Sequence, residues 1–238
     1  MRMIRTLIID DEVHAREELQ ALLEETGEFM IAGSCANAVE ALQAIKHERP
    51  DLIFLDIQMP GITGLELLSM IDQELMPIVV FVTAYDEYAL RAFDENALDY
   101  LLKPVEKQRL AKTLQKIGKM LGQKVRPTYT APPVEKIPCI SANRIKLINV
   151  SDVEYVRSDV GGVYVVCSQG EFFTELTLRV LESRTALIRC HKQFLANIDL
   201  MDEIIPQENQ SALIQMKSKR TVPVSRRFFK KIKTHLGI

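Results

Sequence analysis

The stretch Ile4-Arg5-Thr6-Leu7-Ile8-Ile9-Asp10-Asp11 opens as an apolar run and closes on two carboxylates. The same change recurs at Leu52-Ile53-Phe54-Leu55-Asp56, at Ile78-Val79-Val80-Phe81-Val82-Thr83 and at Tyr100-Leu101-Leu102-Lys103. Short apolar runs without polar alternation read as strands buried on both faces, the condition inside a parallel sheet. Ligands of such sheets bind beyond the carboxyl ends of the strands. Asp10, Asp11, Asp56, Thr83 and Lys103 all fall there.

Between the runs the periodicity turns helical. It predicts helices over Ala15–Leu23, Ala38–Ile45, Gly64–Ile71, Tyr88–Phe93 and Gln108–Leu121, with further strands at Phe29–Cys35 and Ala97–Leu102. Five βα units over residues 3–121 imply a doubly wound α/β domain with right-handed crossovers. Residues 122–136 hold Pro127, Pro132 and Pro133 with few large apolar side chains and read as an extended linker. From 137 to 238 the pattern changes to short alternating strands separated by polar or glycine turns such as Asp159-Val160-Gly161-Gly162. Helices are expected in this mainly-β half only at Leu176–Ser183 and from Ser225 onward.

Composition narrows the class. The chain has 238 residues, 47% hydrophobic and 26% charged, enough for two globular domains with real cores. No apolar run approaches the roughly 20 residues of a membrane-spanning helix, so direct membrane insertion is not expected. Met1-Arg2-Met3-Ile4-Arg5 leads straight into a strand, and Cys35, Cys139, Cys167 and Cys190 are scattered without metal-like spacing. Reduced thiols and a cytoplasmic location are the expectation. The formal charge of −2 hides a division. Residues 1–122 carry 12 Lys and Arg against 21 Asp and Glu, and residues 137–238 carry 15 against 10. Such an asymmetry suggests different partners for the two halves.

Three carboxylates crowded at one sheet edge repel one another and raise each other's pKa. Mg²⁺ would relieve the repulsion, because it prefers carboxylate, carbonyl and water oxygens. A carboxylate left with a free oxygen is a nucleophile towards phosphorus and gives an aspartyl phosphate. A lysine and a hydroxyl beside it can hold the phosphoryl oxygens. Taken singly, Asp56 reads more readily as a helix cap or loop carboxylate, Lys103 as a solvated side chain and Thr83 as a strand-end turn residue. Their placement at successive strand ends makes the joint reading the stronger one. An enzyme with an aspartyl-phosphate intermediate stays open on these residues alone.

Leu7-Ile8-Ile9-Asp10-Asp11-Glu12, Phe54-Leu55-Asp56-Ile57-Gln58-Met59-Pro60-Gly61-Ile62-Thr63-Gly64, Val82-Thr83-Ala84 and Tyr100-Leu101-Leu102-Lys103-Pro104 resemble the flavodoxin-like receiver domain of two-component response regulators. The resemblance implies that Asp56 accepts a phosphoryl group from a partner histidine kinase. Asp10, Asp11, Asp56 and the backbone carbonyl of Gln58 would hold Mg²⁺. Thr83 and Lys103 would bind the phosphoryl oxygens, Tyr100 would be the aromatic that turns inward, and Lys103-Pro104 would be cis. Gln58 and Tyr85 match positions that tune the lifetime of the phosphorylated state.

The basic terminus Ser225-Arg226-Arg227-Phe228-Phe229-Lys230-Lys231-Ile232-Lys233 suggests a polyanion partner, although a basic helix is more often a solvated face. Neither helix-turn-helix, zinc-finger nor heptad spacing is present. Leu187-Ile188-Arg189-Cys190-His191-Lys192-Gln193-Phe194-Leu195-Ala196-Asn197, preceded by Phe173–Leu178 and followed by Val222–Arg227, resembles the LytTR DNA-binding domain. Within that family the likeness extends to a subfamily of enteric bacteria that answers extracellular pyruvate through a membrane sensor kinase. The resemblance implies strands whose loops enter the major groove, with Asn197 and Arg227 at positions that approach bases. His191, Lys192 and Arg226 lie beside them. A third such position aligns near Gly162, which has no side chain, so Arg157 or Ser158 would have to substitute there. The function implied is a transcription regulator, not an enzyme, that dimerises on phosphorylation and binds promoter direct repeats. A receiver with a protein-binding output is the alternative.

Overall fold

A computed structural model describes residues 3–84, 97–121, 132–141, 144–208 and 210–237. The helix expected over Tyr88–Phe93, residue Tyr85 and most of the expected linker lie outside them. The chain divides into two compact units, residues 1–132 and 133–238.

In the first unit, strands β1 (Ile4–Ile9), β2 (Phe29–Cys35), β3 (Leu52–Leu55), β4 (Ile78–Thr83) and β5 (Asp99–Leu102) form one parallel sheet in the order β2-β1-β3-β4-β5. This is the doubly wound order with a switch point between β1 and β3. Every residue of β3 and of β4 is buried, which is why neither strand alternates in the sequence. Helices α1 (Val13–Glu24), α2 (Ala38–Glu48), α3 (Gly64–Met70) and α4 (Lys107–Leu121) follow the strands. Asn37 caps α2 by accepting from Val39 N and Glu40 N, and Thr63 with Glu66 forms a capping box at α3. Leu110, Thr113 and Ile117 make the buried stripe of α4 at helical spacing. Burying Leu110 and Ile117 contributes about 2 kcal/mol each.

α4 is also fastened by charge. The buried Asp99 accepts from both Arg109 amino groups (2.9 and 2.5 Å), Thr113 Oγ1 (2.7 Å), Lys116 Nζ (3.0 Å) and Tyr100 N (3.0 Å). Burial alone would raise the Asp99 pKa. The hydrogen bonds from Arg109, Thr113 and Lys116 override that and hold it well below the ordinary carboxylate range. A folded-state pKa below the unfolded value stabilises above about pH 4, and this is lost as pH falls towards the folded pKa. Asp99→Asn should therefore cost about 2 kcal/mol near neutral pH, with Arg109 and Lys116 partly solvated. The gap from wild type should close progressively below about pH 4. A gap that stays constant on acidification in urea titrations would remove Asp99 from this role.

The second unit is mainly β, as its period-two pattern predicts. Strands β6 (Lys136–Ser141), β7 (Arg144–Asn149), β8 (Val153–Asp159), β9 (Gly162–Cys167), β10 (Gly170–Thr174), β11 (Ile188–His191) and β12 (Phe194–Ala196) form a sheet in the order β11-β12-β8-β9-β10-β6-β7. Strands β13 (Met201–Pro206), β14 (Ala212–Met216) and β15 (Thr221–Val224) make a smaller sheet. Helix α5 covers Leu178–Arg184, two residues later than expected at its start, because Thr177 is the cap and accepts from Val180 N. Helix α6 covers Arg226–Leu236 and seats Ile232 against Cys190, Ile214 and Val224.

The boundary of this unit lies earlier than the linker reading put it. Val134 is buried, with its N–H on the Arg184 carbonyl (2.8 Å), and Lys136 already pairs with Asn149. Backbone pairing and burial thus claim the end of a segment that composition made a spacer. At the β8–β9 turn Gly162 sits at φ +127°, and a Cβ there would lie 2.5 Å from the Phe173 ring. The missing side chain at this position is required by the fold. Among the described residues no helix is long and apolar enough to cross a membrane.

Candidate functional site

The carboxyl ends of β1, β3, β4 and β5 converge as their apolar runs predict. Asp10 and Asp56 are buried, Asp11 is half-buried, and one oxygen from each lies within 4.8 Å of the others. Lys103 Nζ reaches Asp10 Oδ2 at 2.7 Å, Asp56 Oδ2 at 2.8 Å and Glu12 Oε2 at 3.4 Å. The other carboxylate oxygens accept backbone N–H groups, Asp56 Oδ1 from Gln58 (3.1 Å) and Asp10 Oδ1 from Glu12 (2.9 Å). The Lys103-Pro104 peptide is cis.

Burial raises the Asp10 carboxyl above its ordinary value. The Lys103 bond opposes this without cancelling it, and the Asp56 charge adds to it. Burial pulls the Lys103 ammonium down, but the hydrogen bonds to Asp10 and Asp56 outweigh it and keep the lysine charged. One ammonium among three carboxylates leaves net negative charge in a recess. A hard cation with oxygen preference fits that donor set.

Thr83 ends β4, the strand between β3 and β5. Its hydroxyl is fully buried and has no hydrogen-bond partner among the described residues. A buried unpartnered hydroxyl carries a desolvation cost of about 1–3 kcal/mol, which an oxyanion in the pocket would recover. Lys103 N donates to the Thr83 carbonyl (2.9 Å), so these two residues are backbone neighbours. Tyr100, one strand over, is buried.

Two contributors escaped the reading of the sequence. Glu12 is the third partner of Lys103, and its only signal was adjacency to the two aspartates. Gly64, at the start of α3, approaches the main chain of Asp56 so closely that a Cβ would lie 2.1 Å from the Asp56 carbonyl oxygen.

In the second unit the N–H of Ser225 donates to the Cys190 carbonyl (3.0 Å) and brings the start of α6 beside β11. The expected residues Arg226 and Arg227 therefore stand near His191 and Lys192, at the β11–β12 turn. Arg226, Arg227 and Lys192 are exposed, and no carboxylate pairs with them among the described residues. His191 is half-buried against Phe194, and its Nδ1 accepts from Gln193 N (3.2 Å). Burial, then the Lys192 charge, lower its pKa, so it is a neutral imidazole with the other ring nitrogen as donor.

Asn197 and Arg157 differ from the expectation of base contacts. Asn197 is buried, its Oδ1 accepts from Asp199 N (3.1 Å), and its amide donates to the Val153 carbonyl (2.9 Å). In this geometry it caps a 3₁₀ turn and presents nothing to a base. The Arg157 guanidinium stacks on Tyr164 (4.5 Å) and is gripped by Asp159 and Glu171. Its charge is consumed within the domain.

A model of the response regulator receiver domain matches residues 6–115, and a model of the LytTr DNA-binding domain matches residues 143–237. The chain is 49% identical over 235 residues to an uncharacterized response regulatory protein of Vibrio cholerae, with 99% of each covered. It is 46% identical over 242 residues to the transcriptional regulatory protein BtsR of Escherichia coli, covering 99% of this chain and 100% of that protein. Among solved structures, the response regulatory domain of mrkE from Klebsiella pneumoniae is 34% identical with a TM-score of 0.46, covering 51% of this chain and all of that one.

Proposed function

Because the chain belongs to the response regulators that join a receiver domain to a LytTR DNA-binding domain, we propose that phosphoryl transfer from a histidine kinase to Asp56 switches its binding to promoter DNA. The observation that carries this reading is the buried Asp10–Asp56–Lys103 cluster at the strand ends, with the buried Thr83 hydroxyl, unpartnered among the described residues, at the end of the adjacent strand β4. The chain acts as a transcription regulator rather than as an enzyme, so the covalent step is a signal and not a turnover.

An Asp56 carboxylate oxygen forms the new O–P bond as the N–P bond of the donor phosphohistidine breaks, and the imidazole leaves with the bonding pair. Beside Lys103 a groove of about 360 Å³, lined in part by Glu12, His14 and Pro104, leaves the pocket open to a macromolecular donor. Asp10, Asp11, Asp56 and the Gln58 carbonyl would hold Mg²⁺. Once bound, the ion supplies charge neutralisation for the transferring group. Lys103 exchanges its bond to Asp56 for one to a phosphoryl oxygen, and Thr83 donates its hydroxyl to another. Tyr100 then reorients into the space that Thr83 leaves. The face of β5 and α4, with the helix expected over 88–93, becomes competent to pair with a second copy. Two tethered DNA-binding domains engage two direct repeats, and tethering raises the effective concentration for the second contact.

On the DNA, Arg227 is the base-reading side chain, with His191 beside it, while Lys192 and Arg226 contact phosphates. Asn197 supports the loop from below. The kinase is a membrane sensor and the regulator works in the cytoplasm. Footprinting of genomic DNA with and without a small phosphodonor tests the whole reading, since protection should appear at paired repeats and strengthen with phosphodonor. Protection indifferent to phosphodonor would sink the switch, and absence of protection would sink the DNA output. Arg227→Ala should weaken specific binding about 10- to 100-fold in gel shifts and spare non-specific affinity. An equal loss on all sequences would reduce Arg227 to a phosphate contact.

A further inference from the structure

Lys103 approaches the acidic pocket from β5, and a second cation meets it from the β2 side. Arg16, half-buried in α1, makes two bonds to the turn that carries the acids. Its guanidinium Nη1 donates to the Asp10 carbonyl at 2.6 Å, while its backbone N–H makes the first main-chain bond of α1, to the Glu12 carbonyl at 3.2 Å. The side chain thus holds one end of Asp10-Asp11-Glu12, and the helix main chain holds the other. The Asp10 N–H is itself fixed on the Cys35 carbonyl at 3.0 Å, so the main chain of Asp10 is held at its N–H by β2 and at its carbonyl by Arg16.

This matters because the three carboxylates repel. Left free, the turn would relax by swinging Asp11 outward, and each metal-binding event would have to reverse that motion. A turn already locked in the converging arrangement binds with less ordering cost. The guanidinium is also a nearby positive charge that does not compete for the carboxylate oxygens, since its hydrogen bond is to a carbonyl. Its field reaches the neighbouring Cys35 thiol, where it opposes the Glu40 charge. Lys103, by contrast, occupies oxygens that a metal and a phosphoryl group would need. The two cations therefore have separable effects.

We propose that Arg16 is a positioning residue for the divalent-cation site, setting the Asp10–Asp11 turn before the ion arrives. The proposal rests on the reading of the pocket given above. Its test is direct Mg²⁺ titration of the intact chain by calorimetry, on wild type, Arg16→Ala and Arg16→Lys, with thermal midpoints measured in the absence of the ion. Arg16→Ala should weaken Mg²⁺ binding about tenfold, the usual scale for loss of a group that orients a metal ligand. Arg16→Lys, which keeps the charge and one donor, should recover most of it. With phosphodonor, the variants should need more Mg²⁺ to reach half-maximal phosphorylation while the maximal rate is retained. An unchanged Mg²⁺ affinity in Arg16→Ala, even with a lowered thermal midpoint, would overturn the proposal and leave Arg16 a structural tie. Should Arg16→Ala fail to fold, a Lys variant weakened less than twofold but an Arg16→Gln variant weakened as expected would sustain it. Equal affinity in both would overturn it. A wild-type chain without Mg²⁺ affinity would overturn the reading of the pocket, and the role of Arg16 with it.

Discussion

Asp56→Asn should reduce phosphate incorporation to background, whether the donor is a kinase or a small phosphodonor. The amide keeps the size of the side chain but offers no anionic oxygen to attack phosphorus. Lys103 would keep Asp10 at 2.7 Å and Glu12 at 3.4 Å, so the pocket should stay assembled. The consequence is specific. Basal DNA affinity should match wild type, and the gain produced by phosphodonor should vanish. Intact-mass measurement reports the first effect and gel shifts the second. A phosphodonor-dependent gain in DNA binding that survived Asp56→Asn would place the acceptor elsewhere.

Gly64→Ala should be the most damaging single methyl in the first unit. A Cβ at this position would lie 2.1 Å from the Asp56 carbonyl oxygen and 3.1 Å from Leu55 Cγ. The obstacle is main chain, so rotamer changes give no relief. Nor is the main chain free to yield, because Asp56 N is bound to Ile9 O (2.8 Å) and Gly64 N to Ile57 O (2.8 Å). A cost of about 2–4 kcal/mol is expected, with slowed phosphorylation from displacement of the Asp56 backbone. Gly118→Ala is the control. It lies within α4 with nothing within 4 Å of its Cβ position, so alanine there should stabilise by about 0.5–1 kcal/mol. Thermal unfolding of both variants checks the contrast. Equal and small shifts would mean that the Asp56 loop is softer than its hydrogen bonds imply.

The contrast shows where a sequence can be read and where it cannot. Asp10, Asp11, Asp56, Thr83 and Lys103 were legible because strand ends in a parallel sheet are fixed by local apolar runs, and the sheet order then brings them together. Their convergence needed no knowledge of distant side-chain partners. Arg16 and Gly64 were not legible in this way. Nothing in the helical pattern over Ala15–Leu23 distinguishes Arg16, whose role depends on which carbonyl its guanidinium meets. Gly64 looked like an ordinary helix start, and its constraint is an approach to another loop.

In the second unit the difference is sharper. The alternation of its residues marks it as a β domain, and its basic excess suggests a polyanion partner. Whether a given polar side chain is free to bind was decided by contacts far along the chain. Asn197 is spent on the carbonyl of Val153, and Arg157 on Glu171. Arg226, Arg227 and Lys192 remain exposed beside one another because Ser225 ties α6 to β11.

Burial periodicity and charge are properties of local order, and they suffice for the two fold classes, the acidic cluster at the strand ends and the basic excess of the second half. Tertiary structure alone decided which residues hold the pocket in shape and which cations stay available. Hydrogen-bond partners and steric limits are set by groups that only folding brings within reach.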